Sequence, residues 1–144
     1  GRVEVSKGDT RAYDESSELI NRFQLQDSIR LNKENKDIAN IMHKSDIIAL
    51  FSKLEGLPNA ICEGMMIGKP IIMTKVSDYQ ELIDESNGVL CDWDKPETIK
   101  NALLFMMKRS NQELISMGQQ SKQKANRLFS KEMITDKWMD VIKK

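Results

Sequence analysis

The segment "SDIIALFSKLEGLPNAICEGMMIGKPIIMT", residues 45–74, decides the fold. Its two ends are continuously apolar runs, Ile47–Phe51 and Ile71–Thr74, and between them lie a turn and a stretch of helical character. Runs of this kind are typical of central strands in a parallel sheet, which helices cover on both faces. The segment therefore predicts a strand, a turn, a helix over residues 58–67 and a second strand.

Two acidic residues bracket the turn of this segment. Glu55 precedes a Gly-Leu-Pro-Asn turn, and Glu63 follows it among small and apolar residues. We expect Glu63 to lie in the core, where a carboxylate is rarely found without a partner. Composition alone leaves two plainer readings open: Glu63 forms a structural salt bridge with a lysine, and Glu55 is a solvated loop acid.

The turn after the first strand is a candidate ligand site. Ligands of open parallel sheets bind outside the carboxyl ends of the strands. Pro58 suits the first turn of the following helix and Gly68 suits its exit. The free amides of that helix start, with those of Gly56 and Leu57, would bind an anion. A nucleotide-sugar explains both acids, with its phosphates on the amides and its hydroxyls on the two carboxylates.

The rest of the chain alternates in the same way. Further strands are predicted at Val3–Ser6, Ser28–Leu31 and Gly88–Cys91, about five in all, and helices are predicted between them. Beyond Trp93 the pattern is purely helical, with starts at three predicted caps: Asp94 with Glu97, Ser110 with Glu113, and Ser130. The fold class is α/β, a Rossmann-like parallel sheet of about five strands flanked by helices, with a C-terminal helical extension. Ser52, Thr74 and Ser77, near strand ends, are interpreted as turn-forming residues.

Composition excludes several classes of protein. The chain has 22 basic and 22 acidic residues among 144, so no nucleic-acid surface is indicated. Its two cysteines and single histidine predict neither a disulfide framework nor a zinc site. No apolar run approaches a membrane span, and we expect a reduced, cytoplasmic, soluble domain. The absence of G-x-G-x-x-G and G-x-x-x-x-G-K-[ST] argues against a nicotinamide dehydrogenase and a P-loop enzyme.

The residues 45–83 resemble the donor-binding domain of retaining glycosyltransferases of the GT-B fold. The nearest family is glycosyltransferase family 4, the glycosyl transferases group 1 domain, whose hallmark is two glutamates separated by seven residues in a Gly-, Pro- and apolar-rich frame. Gly64 replaces an alanine that is frequent in that frame. The positions that fit are Glu55, Gly56, Leu57, Pro58, Glu63, Met65, Gly68, Pro70, Ile71 and Ile72.

The resemblance implies a role for each site residue. Glu63 would hold the ribose hydroxyls of the donor. Glu55 would be the catalytic residue that contacts the transferred sugar near its reacting centre. The reaction would transfer a sugar from a nucleoside diphosphate with retention of configuration, with no metal and no cofactor. The turn residues expected to contact the sugar and diphosphate are Gly56, Leu57, Pro58 and Asn59.

The chain departs from the family pattern at two places. Where the family usually carries a Gly-Gly pair after the second strand, this chain has Ser77-Asp78. Arg2 and Lys7 have a spacing similar to that of the family's diphosphate-binding Arg and Lys, but we interpret them as surface cations. The expectation is therefore that residues 1–144 form a single donor-binding domain, truncated at its N-terminal side. The diphosphate-binding cations and the acceptor-binding domain would lie outside it, and the isolated chain would be inactive.

The resemblance also implies partners for the full-length enzyme. These are a nucleotide-sugar donor and a glycan or lipid-linked acceptor, in glycan or polysaccharide biosynthesis. No nucleic-acid partner is expected, and peripheral membrane association of the full-length enzyme is possible under this resemblance. Two alternatives stay open at this point: a non-catalytic nucleotide-sugar-binding or scaffold domain, and a GT-B sugar-nucleotide epimerase.

Overall fold

The chain divides into two compact units, Gly1–Ile38 and Ala39–Lys144. The computed structural model describes residues 10–32 and 36–143. The first unit contains helix α1 (Arg11–Arg22), and α2 (Ile38–Lys44) begins at the boundary between the units. The predicted strand Val3–Ser6 and the cations Arg2 and Lys7 lie outside the described residues.

The second unit is built on a parallel sheet. Its described strands are β1 (Ile48–Leu50), β2 (Ile71–Thr74) and β3 (Gly88–Cys91), in the order β1-β2-β3. All four residues of β2 are buried, which confirms the predicted central strand. The prediction for β1 is only partly right, because its Ala49 is exposed. In the described sheet β1 pairs with β2 alone, so it is an edge strand.

The predicted strand Ser28–Leu31 is wrong. The amides of Ser28 and Ile29 both donate to the carbonyl of Leu25, at 3.0 and 2.8 Å, and these bonds hold the chain in turns. Ile29 is also 44% exposed, whereas a strand of a parallel sheet is normally covered on both faces. The described residues therefore form three strands where the sequence predicts about five.

Helices follow the strands as predicted. The helices of the second unit after β1 are α3 (Asn59–Met66), α4 (Tyr79–Leu82), α5 (Pro96–Met107), α6 (Asn111–Phe129) and α7 (Lys131–Ile142). The α/β class, the parallel sheet and the C-terminal helical extension are thus confirmed. Within residues 10–32 and 36–143, each helix is too short or too polar to cross a bilayer.

The core lies on both faces of the sheet, because successive strand side chains point to opposite faces. On one face Ile71 and Met73 pack in a cluster with residues of α3, including Ile61 and Met65. On the other face Ile72 packs in a second cluster with residues of α5 and α6. The members of this second cluster are Ile72, Cys91, Ala102, Met106 and Met117.

Two of the three predicted helix caps are confirmed. Ser110 and Glu113 form a reciprocal capping box, and the Ser130 hydroxyl accepts from the amide of Met133. The box predicted for Asp94 is wrong: Lys95 is the N-cap of α5, and its side chain makes no capping bond. Pro96 is the reason, since its fixed φ and missing N–H suit the first helical position and leave Asp94 one residue too early.

Asp84 anchors the α4–β3 connection to α6. Its carboxylate pairs with the ammonium of Lys124 and accepts from the amide and hydroxyl of Ser86. The hydrogen bond from Lys124, followed by the one from the Ser86 hydroxyl, lowers the pKa of Asp84 from 3.8 to about 2. Because the folded pKa is the lower one, the stabilisation is present above pH 3.8 and is lost as pH falls towards 2.

We therefore expect Asp84→Asn to cost stability near neutral pH and progressively less as the pH is lowered below 3.8. Urea unfolding of both proteins between pH 3 and 7 measures this difference. Lys124→Met removes the cation that pairs with Asp84, and its free energy of unfolding should depend less on pH below 3.8 than that of wild type. A difference between Asp84→Asn and wild type that is constant over this range would contradict the assignment.

Candidate functional site

The connection between β1 and α3 lies at the carboxyl edge of the parallel sheet. It runs over residues 51–58, next to the ends of β2 and β3 in strand order. This is the edge at which open parallel sheets bind ligands. The structure thus brings the predicted turn residues to the predicted edge.

Glu55 is held by its neighbours within this connection. Its side chain is half-buried, and the Ser52 hydroxyl donates to its Oε1 at 2.6 Å. A hydroxyl–carboxylate bond of this length is charge-assisted and strong. Glu55 is therefore an oriented carboxylate, which does not match the plainer reading of a freely solvated loop acid.

Glu63 is exposed, so its predicted position in the core is wrong. Successive helix residues are rotated by about 100°, which puts Glu63 roughly 200° from both Ile61 and Met65. Those two residues are fully buried, and Glu63 consequently lies on the outer face of α3. The apolar neighbours in sequence misled the prediction because they occupy the opposite side of the helix.

The plainer reading of Glu63, a structural salt bridge with a lysine, is likewise not found. Within residues 10–32 and 36–143, its carboxylate makes no ion pair and no hydrogen bond. Asn59 lies four residues earlier, also exposed, and the two side chains share one helix face. That face begins at the β1–α3 turn and presents two unengaged polar side chains to solvent.

The start of α3 retains part of the predicted anion site. Pro58 is buried at the N-cap, and its carbonyl accepts from the amides of Ile61 and Cys62. The amide of Asn59 already donates to the carbonyl oxygen of Leu57, at 2.9 Å. In the described part of the chain, the amides of Gly56 and Leu57 donate to no backbone carbonyl.

Gly56 lies in open space. A Cβ added there would meet no atom within 4 Å, and Leu57 beside it is 57% exposed. The protein's own packing therefore does not require a glycine at this position. A ligand that approaches the backbone closely would require one.

Sequence reasoning missed a group of charged side chains at the same edge. Lys75, directly after β2, pairs with Asp92, directly after β3, at 3.0 Å, and Lys95 approaches the same carboxylate at 3.4 Å. Lys53 lies 4.7 Å from the centre of the Trp93 ring. Their positions just beyond predicted strand ends are the signal that would have identified them.

These contacts change the pKa values of the paired groups in opposite directions. The hydrogen bond from Lys75 is the largest cause that lowers the pKa of Asp92. The same bond raises the pKa of Lys75. Two lysines thus pair with one aspartate, and a third lies against Trp93. Lysines at this edge of the sheet favour an anionic ligand.

Ser77 adopts a left-handed backbone conformation, with φ of 55°. It stands where the resembling family usually has a glycine pair, and glycine adopts this conformation without the steric cost that a Cβ adds, about 1–2 kcal/mol. The interpretation of Ser77 as a turn-forming residue is thus confirmed, with a serine in a conformation that favours glycine.

A separate cavity of about 910 Å³ lies beside β3 and α5. Its lining includes the backbone edge Gly88–Leu90, Phe105 and Arg109, and it contains neither Glu55 nor Glu63. The two glutamates therefore face an open surface and not this cavity.

Comparison with known proteins supports one family. A family model described as glycosyl transferases group 1 matches residues 4–109. A glycosyltransferase of Methanocaldococcus jannaschii is 28% identical over 140 residues, which cover 95% of this chain and 38% of that protein. A Vi polysaccharide biosynthesis protein of Salmonella typhi is 28% identical over 110 residues, covering 76% of this chain and 19% of that protein.

Solved structures share the fold. Anabaena HepE in complex with UDP has a TM-score of 0.84 at 21% identity, covering 94% of this chain and 38% of that one. Sucrose-phosphate synthase from Thermosynechococcus elongatus has a TM-score of 0.78 at 18% identity, covering 99% of this chain and 36% of that one. The chain thus spans well under half the length of each protein that it is compared with here.

Proposed function

This chain belongs to the glycosyl transferases group 1 family, with a domain of the GT-B type, and we propose that it is the C-terminal, donor-binding part of a retaining enzyme of glycosyltransferase family 4. The observation that carries the proposal is the pair of glutamates on either side of an open helix start. Glu55 is oriented by Ser52, and Glu63 is exposed one helical turn beyond Asn59.

The proposed donor lies along the start of α3. Its diphosphate contacts the amides of Gly56 and Leu57, which are exposed and make no backbone hydrogen bond in the described chain. Glu63 is four residues beyond Asn59, roughly 6 Å along the helix axis, and accepts the two ribose hydroxyls. Glu55 contacts the sugar. The lysines at the carboxyl edge add favourable charge for a diphosphate.

The proposed reaction cleaves the bond between the anomeric carbon and the diphosphate. The transition state resembles an oxocarbenium ion with a departing anion. Fixed amides stabilise the anion, and the fixed Glu55 carboxylate stabilises the positive charge on the sugar or attacks it. Both roles of Glu55 require a carboxylate that is held in place, and the bond from Ser52 provides this.

The acceptor is proposed to bind in a part of the full-length protein that this chain does not include. A glycan or a lipid-linked sugar is the proposed acceptor, in polysaccharide biosynthesis on the cytoplasmic side, with peripheral membrane association of the whole enzyme. A relative that is a Vi polysaccharide biosynthesis protein supports this context. No resident metal or cofactor is proposed, and turnover should survive EDTA.

The test is nucleotide binding by Glu63→Ala. We expect its affinity for UDP, or for the best-binding nucleoside diphosphate of a panel, to fall by about 1.5–3 kcal/mol, the range for hydrogen bonds to a charged group. The melting temperature should be nearly unchanged because Glu63 is exposed. Calorimetric titration and thermal melting measure the two quantities.

Glu132→Ala is the matched control, since Glu132 is also an exposed helical glutamate but lies on α7. It should bind as wild type does. Unchanged affinity of Glu63→Ala with a large loss of melting temperature would make Glu63 a structural residue. Binding by wild type without turnover in the full-length protein would favour the scaffold alternative, and isomerisation of the donor would favour the epimerase.

A further inference from the structure

We propose that Ser52 and Thr74 are positioning residues for the Glu55 carboxylate, an inference that rests on the proposed function. The Thr74 hydroxyl donates to the backbone carbonyl of Ser52 and so fixes the chain after β1. The Ser52 side chain in turn donates to Glu55 and orients its carboxylate. Neither residue contacts the donor in this proposal. Sequence reasoning treated both as turn-forming residues, and the structure adds the contact to Glu55.

The first contact continues the pairing of β1 and β2 beyond the end of β1. The backbone register pairs Leu50 with Met73, and β1 ends there. The hydroxyl of Thr74, the next residue of β2, donates to the carbonyl of Ser52 at 2.7 Å. A side chain thus replaces the backbone ladder at the point where the chain turns away towards α3.

Thr74 is well suited to act as this anchor. It is fully buried, at 0% exposure, and its hydroxyl also lies 3.4 Å from the carbonyl of Leu50. A buried hydroxyl is costly unless it is hydrogen-bonded, and a valine of nearly the same shape would avoid that cost. The hydroxyl therefore specifies where the Ser52 backbone lies, which packing alone would not do.

The second contact fixes one carboxylate oxygen and leaves the other available. Ser52 donates to Oε1 of Glu55 at 2.6 Å, and in the described chain Oε2 accepts no hydrogen bond. A glutamate has three rotatable side-chain bonds, so an untethered carboxylate would sample several positions. With Oε1 bound, Oε2 is the oxygen that this proposal directs to the sugar.

The test compares Ser52→Ala with wild type in the full-length protein. We expect kcat to fall roughly ten- to a hundredfold, as for loss of a hydrogen bond to a charged group, with the donor KM changed by less than about threefold. Ser116→Ala, on the exposed face of α6, is the control and should have the wild-type kcat. Thr74→Val should lower kcat in the same way. Thr74→Ser keeps the hydroxyl and should retain a kcat close to that of wild type.

A double-mutant cycle distinguishes positioning from a general structural effect. If Ser52 acts through the carboxylate, Ser52→Ala should lower turnover by less than about twofold in a Glu55→Gln background. An equal loss in both backgrounds, or a wild-type kcat for Ser52→Ala, would overturn the inference while leaving the proposed function intact. If Thr74→Val does not fold, the double-mutant cycle of Ser52 and Glu55 decides whether Ser52 is a positioning residue. A full-length wild type that transfers no sugar from any donor would overturn both.

Discussion

Glu55→Gln in the full-length protein is expected to lower turnover by about two to four orders of magnitude. Glutamine has the shape of glutamate and still offers an oxygen to the Ser52 hydroxyl, so the loop should keep its structure. The negative charge is lost, however, and its effect is largest in the transition state, where the sugar becomes positive. Steady-state kinetics with a labelled donor measure the loss.

The affinity for the nucleoside diphosphate should stay within about twofold in the same variant, because Glu55 is proposed to contact only the sugar. The wild-type chain of residues 1–144 is a useful second arm. We expect it to bind nucleotide weakly and to transfer no sugar, since catalysis requires an acceptor hydroxyl positioned against the anomeric carbon. Normal turnover of Glu55→Gln would remove Glu55 from the mechanism, and transfer by the short chain would contradict the proposed place of the acceptor site.

Gly118→Ala is expected to lower the free energy of unfolding by about 2 kcal/mol or more, the upper part of the range for overpacking. A Cβ at residue 118 would lie 2.1 Å from the carbonyl oxygen of Gly68. The obstacle is backbone, and Gly68 cannot easily move because its φ of 77° ends helix α3. The better helix propensity of alanine, about 1 kcal/mol, offsets only part of the cost.

Chemical denaturation measures this change, and Gln119→Ala is its control. Gln119 is the next residue of α6 and is exposed, so the control should differ from wild type by less than about 0.5 kcal/mol. The test reports on the packing of α3 against α6, and hence on the support beneath the candidate site. Equal stability of Gly118→Ala and wild type would mean that the two helices do not approach this closely.

The outcome for the two glutamates indicates how far sequence reasoning reaches into the site. The spacing of Glu55 and Glu63 identified both residues, and the strand–turn–helix pattern assigned them to the carboxyl edge of the sheet. The expected burial of Glu63 was wrong, because a helix of eight residues buries only one side and the neighbouring apolar residues occupy it. Periodicity counted from Ile61 and Met65 would have predicted an exposed Glu63.

The helix ends were predicted correctly where the capping residue acts on its near neighbours, with one exception. Ser110 and Ser130 were assigned correctly as caps, since each bonds an amide three residues away. Gly68 was also correct: the amides of Gly68 and Lys69 bond back to Met65 and Gly64, which closes α3. The cap predicted at Asp94 is wrong because Pro96 sets the start of α5 and makes Lys95 the N-cap.

The sequence by itself determined the α/β alternation, the two strands around the turn with β2 buried, the helix ends at Ser110, Ser130 and Gly68, and the identity of both glutamates. These features depend on residues a few positions apart, so local periodicity and capping chemistry encode them. The tertiary structure alone decided that Thr74 anchors Ser52, that Ser52 orients Glu55, and that Gly118 lies against Gly68. The anchor and the glycine contact join residues 22 and 50 positions apart in the chain, which meet only once strand register and helix packing are set.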